Sequence, residues 1–542
     1  MPRRLPAVTG AGLLWLLEVD FAGQTFRFSS EPLDISKDDG SAISYRGGLD
    51  DPGYQESLDR FSHSIDQQVI SVELDLGVNV AELIQKGQPF GGNSAELSCV
   101  IIQAGTVQQT YEGRLVVLAG NVSEPQYGFP GEPPGYITCS IEGALSEDAG
   151  AILPASACVS VDTFPNVAST GQEVHEGKPY PIVFGAPGAY RTSSGLSKTT
   201  SGSPAYIVFL NASNDKALTL VIAGHHVNAP SVLVFDSNTS ESFTVTNGVD
   251  GLNQPVATID ISGASGIDLT EREFWIGWNN GSGIKNPWSS SDSLTGLGDV
   301  IRWAMTHSTL PVDHGAFAAA SDYLNQFKLD GYITDATASV WEWVSSISES
   351  FPVTIRRAVD GVYPIVHDVR VSPDSGLKLT ASPEFQRLSQ VQVEGKLENI
   401  YNSIRVGYAL RAKDGGPKIY AVIGTKASGD PSSFSTTTTR QSISRYGVRY
   451  KSFDHPYIYD RSTAQKTIKY LADVEALPSR TVDYRAAASY ASVQLGDIIT
   501  LTDTGLYFTN QACLVTGKMW DVDSWIFTLL IDTIPDRDDR VF

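Results

Sequence analysis

Residues 296–353 read GLGDVIRWAMTHSTLPVDHGAFAAASDYLNQFKLDGYITDATASVWEWVSSISESFPV. This stretch holds the longest run with helical periodicity in a chain whose other segments are typical of β-structure. Spacings of i, i+4, i+7 and i+11 predict one apolar helix face, formed by Val340, Val344, Ile347 and Phe351. Asp335 is the expected N-cap of this helix, and Pro352 is expected to end it.

Two shorter helices are predicted before it, over residues 298–305 and 315–327. Each has an apolar stripe that a short helix cannot bury alone. The three helices must therefore pack on one another and on a neighbouring sheet. They form a helical island that divides the chain into two long β arms.

Length and composition indicate a globular chain of several domains. The chain has 542 residues, 41% hydrophobic and 18% charged, whereas single cores stop growing near ~250–300 residues. We predict a mainly β, multidomain fold with a helical insertion (α+β). Two β-barrel or sandwich domains, at 1–165 and 371–542, are expected to flank a smaller β module at 177–295 and a helical domain with a hairpin at 296–370.

Charge argues against nucleic-acid binding. Lys and Arg total 39 against 61 Asp and Glu, a net charge of −22, and such a chain repels phosphate backbones. The same acidity would suit a wall past which DNA slides without sticking. It would equally suit a solvated surface that only aids solubility.

Outside the island, period-2 patterns predict many short strands. The clearest hairpin spans 13–30 and turns at Ala22 and Gly23. Residues 177–185 are expected to be a linker that becomes a buried strand. Four stretches are predicted as loops or polar connections, namely 186–204, 275–295, 424–445 and 432–444.

Local signals predict three further features of the chain. Asp360 and Gly361 form a type I′ turn pair, and Ser462 with Gln465 forms a capping box before another helix. The N-terminal apolar run is broken by proline and glycine and lacks a cleavage site, so we interpret it as a strand. No segment reaches the ~18–20 apolar residues of a membrane span, and we expect a soluble protein with no membrane span.

No catalytic or metal-binding motif stands out, and we expect no catalytic, cofactor or metal site. The four cysteines lack paired spacing and are expected to be buried free thiols, although a cluster assembled from distant cysteines stays open. His225 and His226 are expected in a turn, Asp313 as a helix cap before His314, and His455 in a turn.

Three tryptophans, Trp275, Trp278 and Trp288, lie close together in the predicted loop 275–295. Exposed beside carboxylates, they would suit a sugar-binding cleft. The alternative is that they pack beneath a long loop or at a subunit interface. The packing interpretation is the simpler one.

The order of segments resembles the baseplate-hub, or tail-tip, proteins of tailed bacteriophages and gene transfer agents. The run 299–330 is similar to the helical part that hub proteins insert between β domains. The second segment that resembles hub proteins is 404–408, followed later by Tyr446, Gly447 and a helix from Ser462. The sequence LGDIITLTD at 495–503 resembles the strands that close many hub C-terminal domains.

This resemblance implies a structural protein of the virion. Hub proteins form homotrimeric rings in which two similar β domains per chain give pseudo-sixfold symmetry. The implied partners are the distal tail and tail-tube proteins, the tape-measure protein in the lumen, a central fibre or spike, and DNA that passes without specific binding. The implied location is the tail tip or baseplate, after synthesis in the host bacterial cytoplasm.

Two other functions stay open. A receptor-binding or depolymerase tail protein would grip host glycans through the tryptophan-rich loop. A secreted β-rich hydrolase is the third possibility, but no nucleophile or metal constellation supports it.

Overall fold

A computed structural model describes residues 11–50, 52–60, 64–66, 70–75, 77–127, 136–143, 150, 157–165, 175–191, 197–211, 213–236, 239–289, 293–335, 339–358, 361–369, 378–394, 399–417, 419–424, 433–521 and 523–532. Nearly half of these residues are in strands, and they also form six α-helices. The helices are α1 (Gly77–Gln85), α2 (Leu297–Met305), α3 (His314–Leu324), α4 (Val340–Ser348), α5 (Thr437–Tyr446) and α6 (Arg461–Glu475).

The first arm supplies a large sheet. Its strands are β1 (Ala11–Phe21), β2 (Gln24–Ser29), β3 (Leu33–Ser36), β4 (Ala42–Gly47), β5 (Gln55–Asp59), β6 (Ser64–Asp66), β7 (Ile70–Asp75), β8 (Ser94–Gln103), β9 (Thr106–Val107), β10 (Leu115–Val122), β11 (Gln126–Tyr127) and β12 (Tyr136–Gly143). The strand order is β11-β12-β10-β8-β1-β2-β4-β3, with β7 on β12 and β9 on β8. Strands β5 and β6 do not belong to this sheet; they join the last sheet, which is described below. The predicted β1–β2 hairpin is confirmed, and Ala22 at its turn has φ +51°.

The middle of the chain contains a closed six-stranded barrel and three separate strand pairs. Its strands are β13 (Ile182–Phe184), β14 (Ala189–Arg191), β15 (Ser197–Thr199), β16 (Ser203–Asn211), β17 (Lys216–Ala223), β18 (Asn228–Phe235), β19 (Ser240–Val249), β20 (Pro255–Asp260), β21 (Phe274–Ser282), β22 (Gly331–Ile333), β23 (Val353–Ala358) and β24 (Gly361–Val366). The barrel order is β16-β17-β20-β19-β18-β21. Strands β13 and β22, β14 and β15, and β23 and β24 pair outside it.

The second arm contributes to two sheets. Its strands are β25 (Lys378–Thr380), β26 (Phe385–Arg387), β27 (Gln392–Glu394), β28 (Ser403–Tyr408), β29 (Ile419–Ile423), β30 (Ser433–Phe434), β31 (Tyr450–Asp454), β32 (Ser479–Ala486), β33 (Ile498–Asp503), β34 (Phe508–Asp521) and β35 (Ser524–Ile531). The order β30-β29-β28-β31 forms a small sheet. The last sheet runs β25-β33-β34-β35-β32-β26, with β27 on β32 and β5 on β34.

Three large hydrophobic cores hold these layers together. The first arm and the last sheet share one core, which we call the shared core; it includes Leu17 and Ile141 from one end and Phe385 and Phe527 from the other. The helices α2, α3, α4 and α6 pack with the small sheet in a central core. The barrel encloses the third core.

The predicted fold class, mainly β with a helical insertion, is confirmed. The predicted domain boundaries stay predictions. The three island helices are also confirmed, within a few residues at each end. Their central core draws its remaining side chains from the second arm, including Ile404 and Ile468.

Two helix caps were predicted at the wrong residue. Ser339, not Asp335, caps α4, because its side chain and that of Glu342 form a reciprocal capping box. Asp460, not Ser462, caps α6, and its carboxylate accepts the Thr463 N–H at 2.7 Å. Asp335 lies too far before α4 to cap it, and Ser462 lies inside the first turn of α6, so in each helix the residue just before the first turn satisfies its free N–H groups.

Two loop predictions were wrong. Residues 437–446 form helix α5, which buries Thr438 and Ser442 instead of a clear apolar stripe and so escapes periodicity. Residues 274–282 form strand β21, which closes the barrel. Its Gly277 fits closely, since an added Cβ would lie 2.5 Å from Thr199 Cγ2.

The stretch 186–204, predicted as a loop, contains the paired strands β14 and β15. Its residues 192–196 lie outside the described residues, as do 425–432 of the predicted loop 424–445 and Asp360 of the predicted turn.

Two histidines, one buried and one half-buried, attach the barrel to the segment before it. His175, 8% exposed, accepts the Ile207 N–H on Nδ1 at 2.7 Å. His225 accepts the Val183 N–H on Nε2 at 2.9 Å. Desolvation lowers the pKa of both rings to about 4. A neutral ring is required for each bond, because a protonated imidazole has no acceptor nitrogen.

The His175→Asn variant should be less sensitive to acid than the wild type. The folded pKa of His175 lies below its unfolded value of 6.5, so only the unfolded state binds a proton between about pH 6.5 and 4, and wild-type stability falls as pH falls through that window. The Asn oxygen still accepts the Ile207 N–H and does not titrate. The melting temperatures of the wild type and the variant, measured from pH 7 to 4, should converge or cross. Parallel curves for the two proteins would contradict the role of His175 as a neutral acceptor.

Candidate functional site

The two ends of the chain meet where strand β5 joins the last sheet. Ser57 lies opposite Gly517 and Glu56 opposite Lys518 in antiparallel pairing. We call the side chains gathered here the junction; they are Trp15, Tyr54, Glu56, Arg60, Arg356, Lys518, Trp520, Trp525 and Asp532. Because they come from the first arm, the β23–β24 hairpin and the last sheet, the junction connects three parts of the chain.

Four aromatic rings form the apolar part of the junction. The ring centroid of Trp525 lies 4.9 Å from Trp520, 5.7 Å from Tyr54 and 6.2 Å from Trp15, all edge to face. Such pairs add to stability beyond the area that they bury. Trp15 lies on β1, the first strand of the opening hairpin, so the cluster spans both layers of the shared core.

Lys518 lies among these rings and is 3% exposed. Its Nζ is 4.5 Å from the Trp525 ring centroid and 5.9 Å from that of Tyr54, and it donates to the Ala491 carbonyl at 2.8 Å. Burial lowers the pKa of Lys518 to about 8, and the Glu56 carboxylate opposes this only in part. Cation–π contacts with the rings partly replace the lost hydration.

Two buried ion pairs complete the junction. Arg356 Nη2 donates to both oxygens of Glu56, at 2.8 and 2.6 Å. Burial by itself lowers the pKa of Arg356, but Glu56, Tyr363 and Tyr54 together more than offset it, so the net shift is upward. Arg60 Nη1 lies 2.7 Å from a carboxylate oxygen of Asp532, a contact between residues 472 positions apart. The Arg60–Asp532 pair joins the first arm to the end of the last sheet, and the Arg356–Glu56 pair joins the first arm to the β23–β24 hairpin.

The enclosure of these groups limits what they can do chemically. The side chains of the two ion pairs are only 2–13% exposed. They are placed to hold the chain ends together and not to contact a dissolved substrate. A charge left without its partner at this depth is costly, so each member of the junction requires the others.

The three tryptophans of the predicted cleft do not form one exposed face. Trp278 is 1% exposed and donates its Nε1–H to Ser203 Oγ at 2.9 Å inside the barrel. Trp275 is half-buried with Lys413 Nζ 5.2 Å from its ring, whereas Trp288 is 37% exposed beneath Arg302. The packing interpretation is confirmed for Trp278, which no glycan can reach.

The histidine predictions are confirmed. Asp313 caps α3 by accepting the N–H groups of Gly315 and Ala316 at 2.9 Å. His225 and His226 lie between β17 and β18, as expected for a turn. His455 is 4% exposed after β31, where burial lowers its pKa to about 3.

The cysteine prediction holds for Cys99, Cys139 and Cys513, which are buried free thiols, whereas Cys158 is half-buried. Burial raises the pKa of Cys99 and Cys139 to about 12. Within the described part of the chain, no three or more His, Cys, Asp or Glu side chains are grouped to hold a metal ion. Among the same residues, no helix is both long and apolar enough to cross a membrane.

Sequence reasoning missed the junction. One signal could have indicated it. Lys518 and Trp520 are two residues apart in the final hairpin, so both side chains lie on the same face of the strand, which an aromatic residue would bury. Its partners Glu56 and Arg356 are far away in the chain, and nothing in their local sequence links them to Lys518.

Comparison with solved structures gives matches over most of the chain. The prophage MuSo2 43 kDa tail protein from Shewanella oneidensis matches with 8% identity over 97% of this chain and 100% of its own, at a TM-score of 0.34. A tail protein from Neisseria meningitidis MC58 matches with 10% identity over 96% of both chains, at 0.35. A chain of a gene transfer agent virion matches with 10% identity over 66% of this chain and 85% of its own, at 0.35.

These structures are tail and virion proteins. No protein-family model and no curated protein matches the sequence.

Replacing Glu56 by Gln should destabilise the protein by about 3 kcal/mol, because Arg356 would stay buried without its counter-charge. A matched control is Glu82→Gln, which removes an exposed i,i+4 pair with Lys86 and should change stability by less than about 0.5 kcal/mol. Denaturant unfolding followed by tryptophan fluorescence measures both. Equal effects of the two substitutions would show that the buried pair has no special role.

The Lys518→Met variant should lose a pH dependence that the wild type has. The folded pKa of about 8 lies below the unfolded value of 10.5, so between these pH values only the unfolded state keeps the proton. Wild-type stability should therefore rise from pH 8 to 10.5 relative to the variant, by up to about 1.4 kcal/mol per pH unit. Denaturant midpoints across this range test it; a constant difference between the two proteins would contradict the buried charge.

Proposed function

We propose that this chain is the structural hub of a phage-type tail tip or baseplate. In this role three copies form a ring that joins the distal tail or tail tube to a central fibre. The observation that carries the proposal is the junction, which locks both ends of the chain into one shared core while the barrel and the helices are carried between them. Two arms that share a core in this way resist being pulled apart, as a connector between neighbouring rings requires.

The order of segments supports the same role. The sequence resemblance to hub proteins rests on a helical part between two β arms, and the fold has that layout, with α2, α3 and α4 between the first arm and the last sheet. The net charge of −22 would keep DNA and other polyanions from adhering to the lumen of a ring.

The proposed partners follow from this role. They are two further copies of the chain, the distal tail and tail-tube proteins, the tape-measure protein, a central fibre or spike, and DNA in passage without specific binding. The proposed location is the virion tail tip, after synthesis in the host cytoplasm. We propose no catalytic activity and no cofactor.

The mass of the purified protein in solution tests the ring. Light scattering should give about three times the chain mass of 58.3 kDa at micromolar concentration. The trimer should bind distal-tail rings in a co-sedimentation assay. A protein that stays monomeric at every concentration and also fails to bind those rings would overturn the proposal.

A further inference from the structure

An exposed tyrosine is held in a strained backbone conformation at one edge of the last sheet. Tyr507 is 95% exposed and has φ +59°, which is uncommon for a bulky side chain. It is the residue before β34 begins. Strain of this kind persists only where surrounding contacts enforce it, and it is concentrated at functional positions.

The contacts that enforce this conformation start at Asp503. Its carboxylate accepts the Gly505 N–H at 2.9 Å and the Tyr484 hydroxyl at 2.7 Å. Arg387 Nη1 lies 3.7 Å from the same carboxylate, and Tyr507 N–H donates to the Thr504 carbonyl at 3.2 Å. The loop therefore presents a fully exposed aromatic ring on a fixed support, which lowers the entropy lost when a partner binds.

A second exposed apolar side chain lies on the core face of the same sheet. Val393 pairs with Arg480, which pairs with the buried Ile531. Directly paired residues point to the same side of a sheet, yet Val393 is 68% exposed. The core face of the last sheet is therefore buried at Ile531 but exposed to solvent at Val393.

The side chain of Arg480 has a donor without an acceptor among the described residues. Its guanidinium lies 5.8 Å from the Phe508 ring centroid, and its Nε is buried without a hydrogen-bond partner among the described residues. No described carboxylate forms an ion pair with it. We call Val393, Arg480, Tyr507 and Phe508 the edge patch; it combines apolar contact area with one cation that has no counter-charge among the described residues.

We infer that the edge patch is a contact between copies of this chain, in which a carboxylate of the neighbouring copy pairs with Arg480 while Tyr507 and Val393 are buried. An acidic partner fits the cation, and the chain itself is strongly acidic, with 61 Asp and Glu against 39 Lys and Arg. Aromatic residues and arginine are the types enriched at interface centres. The inference rests on the proposed function and identifies the surface that the ring would use.

The symmetry of the proposed ring determines the kind of contact. In a ring of three copies, each copy meets the next through two different surfaces. The carboxylate that pairs with Arg480 therefore comes from a different surface of the next copy. A contact between two different surfaces is heterologous, and heterologous contacts build closed rings when the rotation permits.

The test uses the full-length protein and four variants. Tyr507→Asp and Val393→Asp place a charge in the edge patch, and Arg480→Met removes the cation but keeps the aliphatic stem. The matched control is Val249→Asp, which adds the same charge at a side chain 59% exposed on the barrel. Since these apolar side chains are exposed, the variants should melt within a few degrees of the wild type.

Light scattering across a concentration series separates the outcomes. A trimeric wild type and control, with patch variants that need about tenfold or more higher concentration to associate, support the inference. A wild type and patch variants that associate equally overturn it and leave the proposed function standing. A control that dissociates like the patch variants also overturns it. A monomeric wild type that still binds distal-tail rings overturns the self-contact, whereas one that binds none overturns the proposed function as well.

Discussion

The pairing of strand β5 with strand β34 is the constraint on which the rest of the structure depends. It places Tyr54 and Glu56, from the first arm, inside the last sheet, where they meet Lys518. The two arms consequently bury one shared core instead of two separate ones. The barrel and the helical core are held between them as insertions, each with its own apolar interior.

Much of the fold could be predicted from the sequence because its signals are local. Helix α4 follows from its apolar spacing, and the β1–β2 hairpin from alternation around Ala22 and Gly23. Helix α5 could not be found in this way, since its inward side chains are hydroxyls such as Thr438 and Ser442. The caps of α4 and α6 were misplaced because several polar residues precede each helix, and only the backbone geometry selects one.

The junction could not be predicted because its partners are distant in sequence. Glu56 and Arg356 each look like ordinary surface charges in their local context, and the parity of Lys518 with Trp520 does not indicate which residues pair with it. Their burial arises from sheet register, which brings together residues hundreds of positions apart. The tryptophans show the converse, since Trp278 looked like part of an exposed loop and instead fills the barrel. The sequence resemblance named a class of protein without indicating which contacts close it.

The long sequence separation between the first arm and the last sheet also determines how long the first arm waits for its partner during synthesis. Arg60 and Asp532 are 472 residues apart, and at ~5–20 residues per second the ribosome needs roughly 25–95 s to make the intervening chain. Throughout that interval the first arm has no last sheet to cover Leu17, Phe28 and their neighbours. A nascent chain with so much non-local pairing folds slowly and exposes apolar surface. The topology therefore leaves this apolar surface without its native cover until the last sheet has been made.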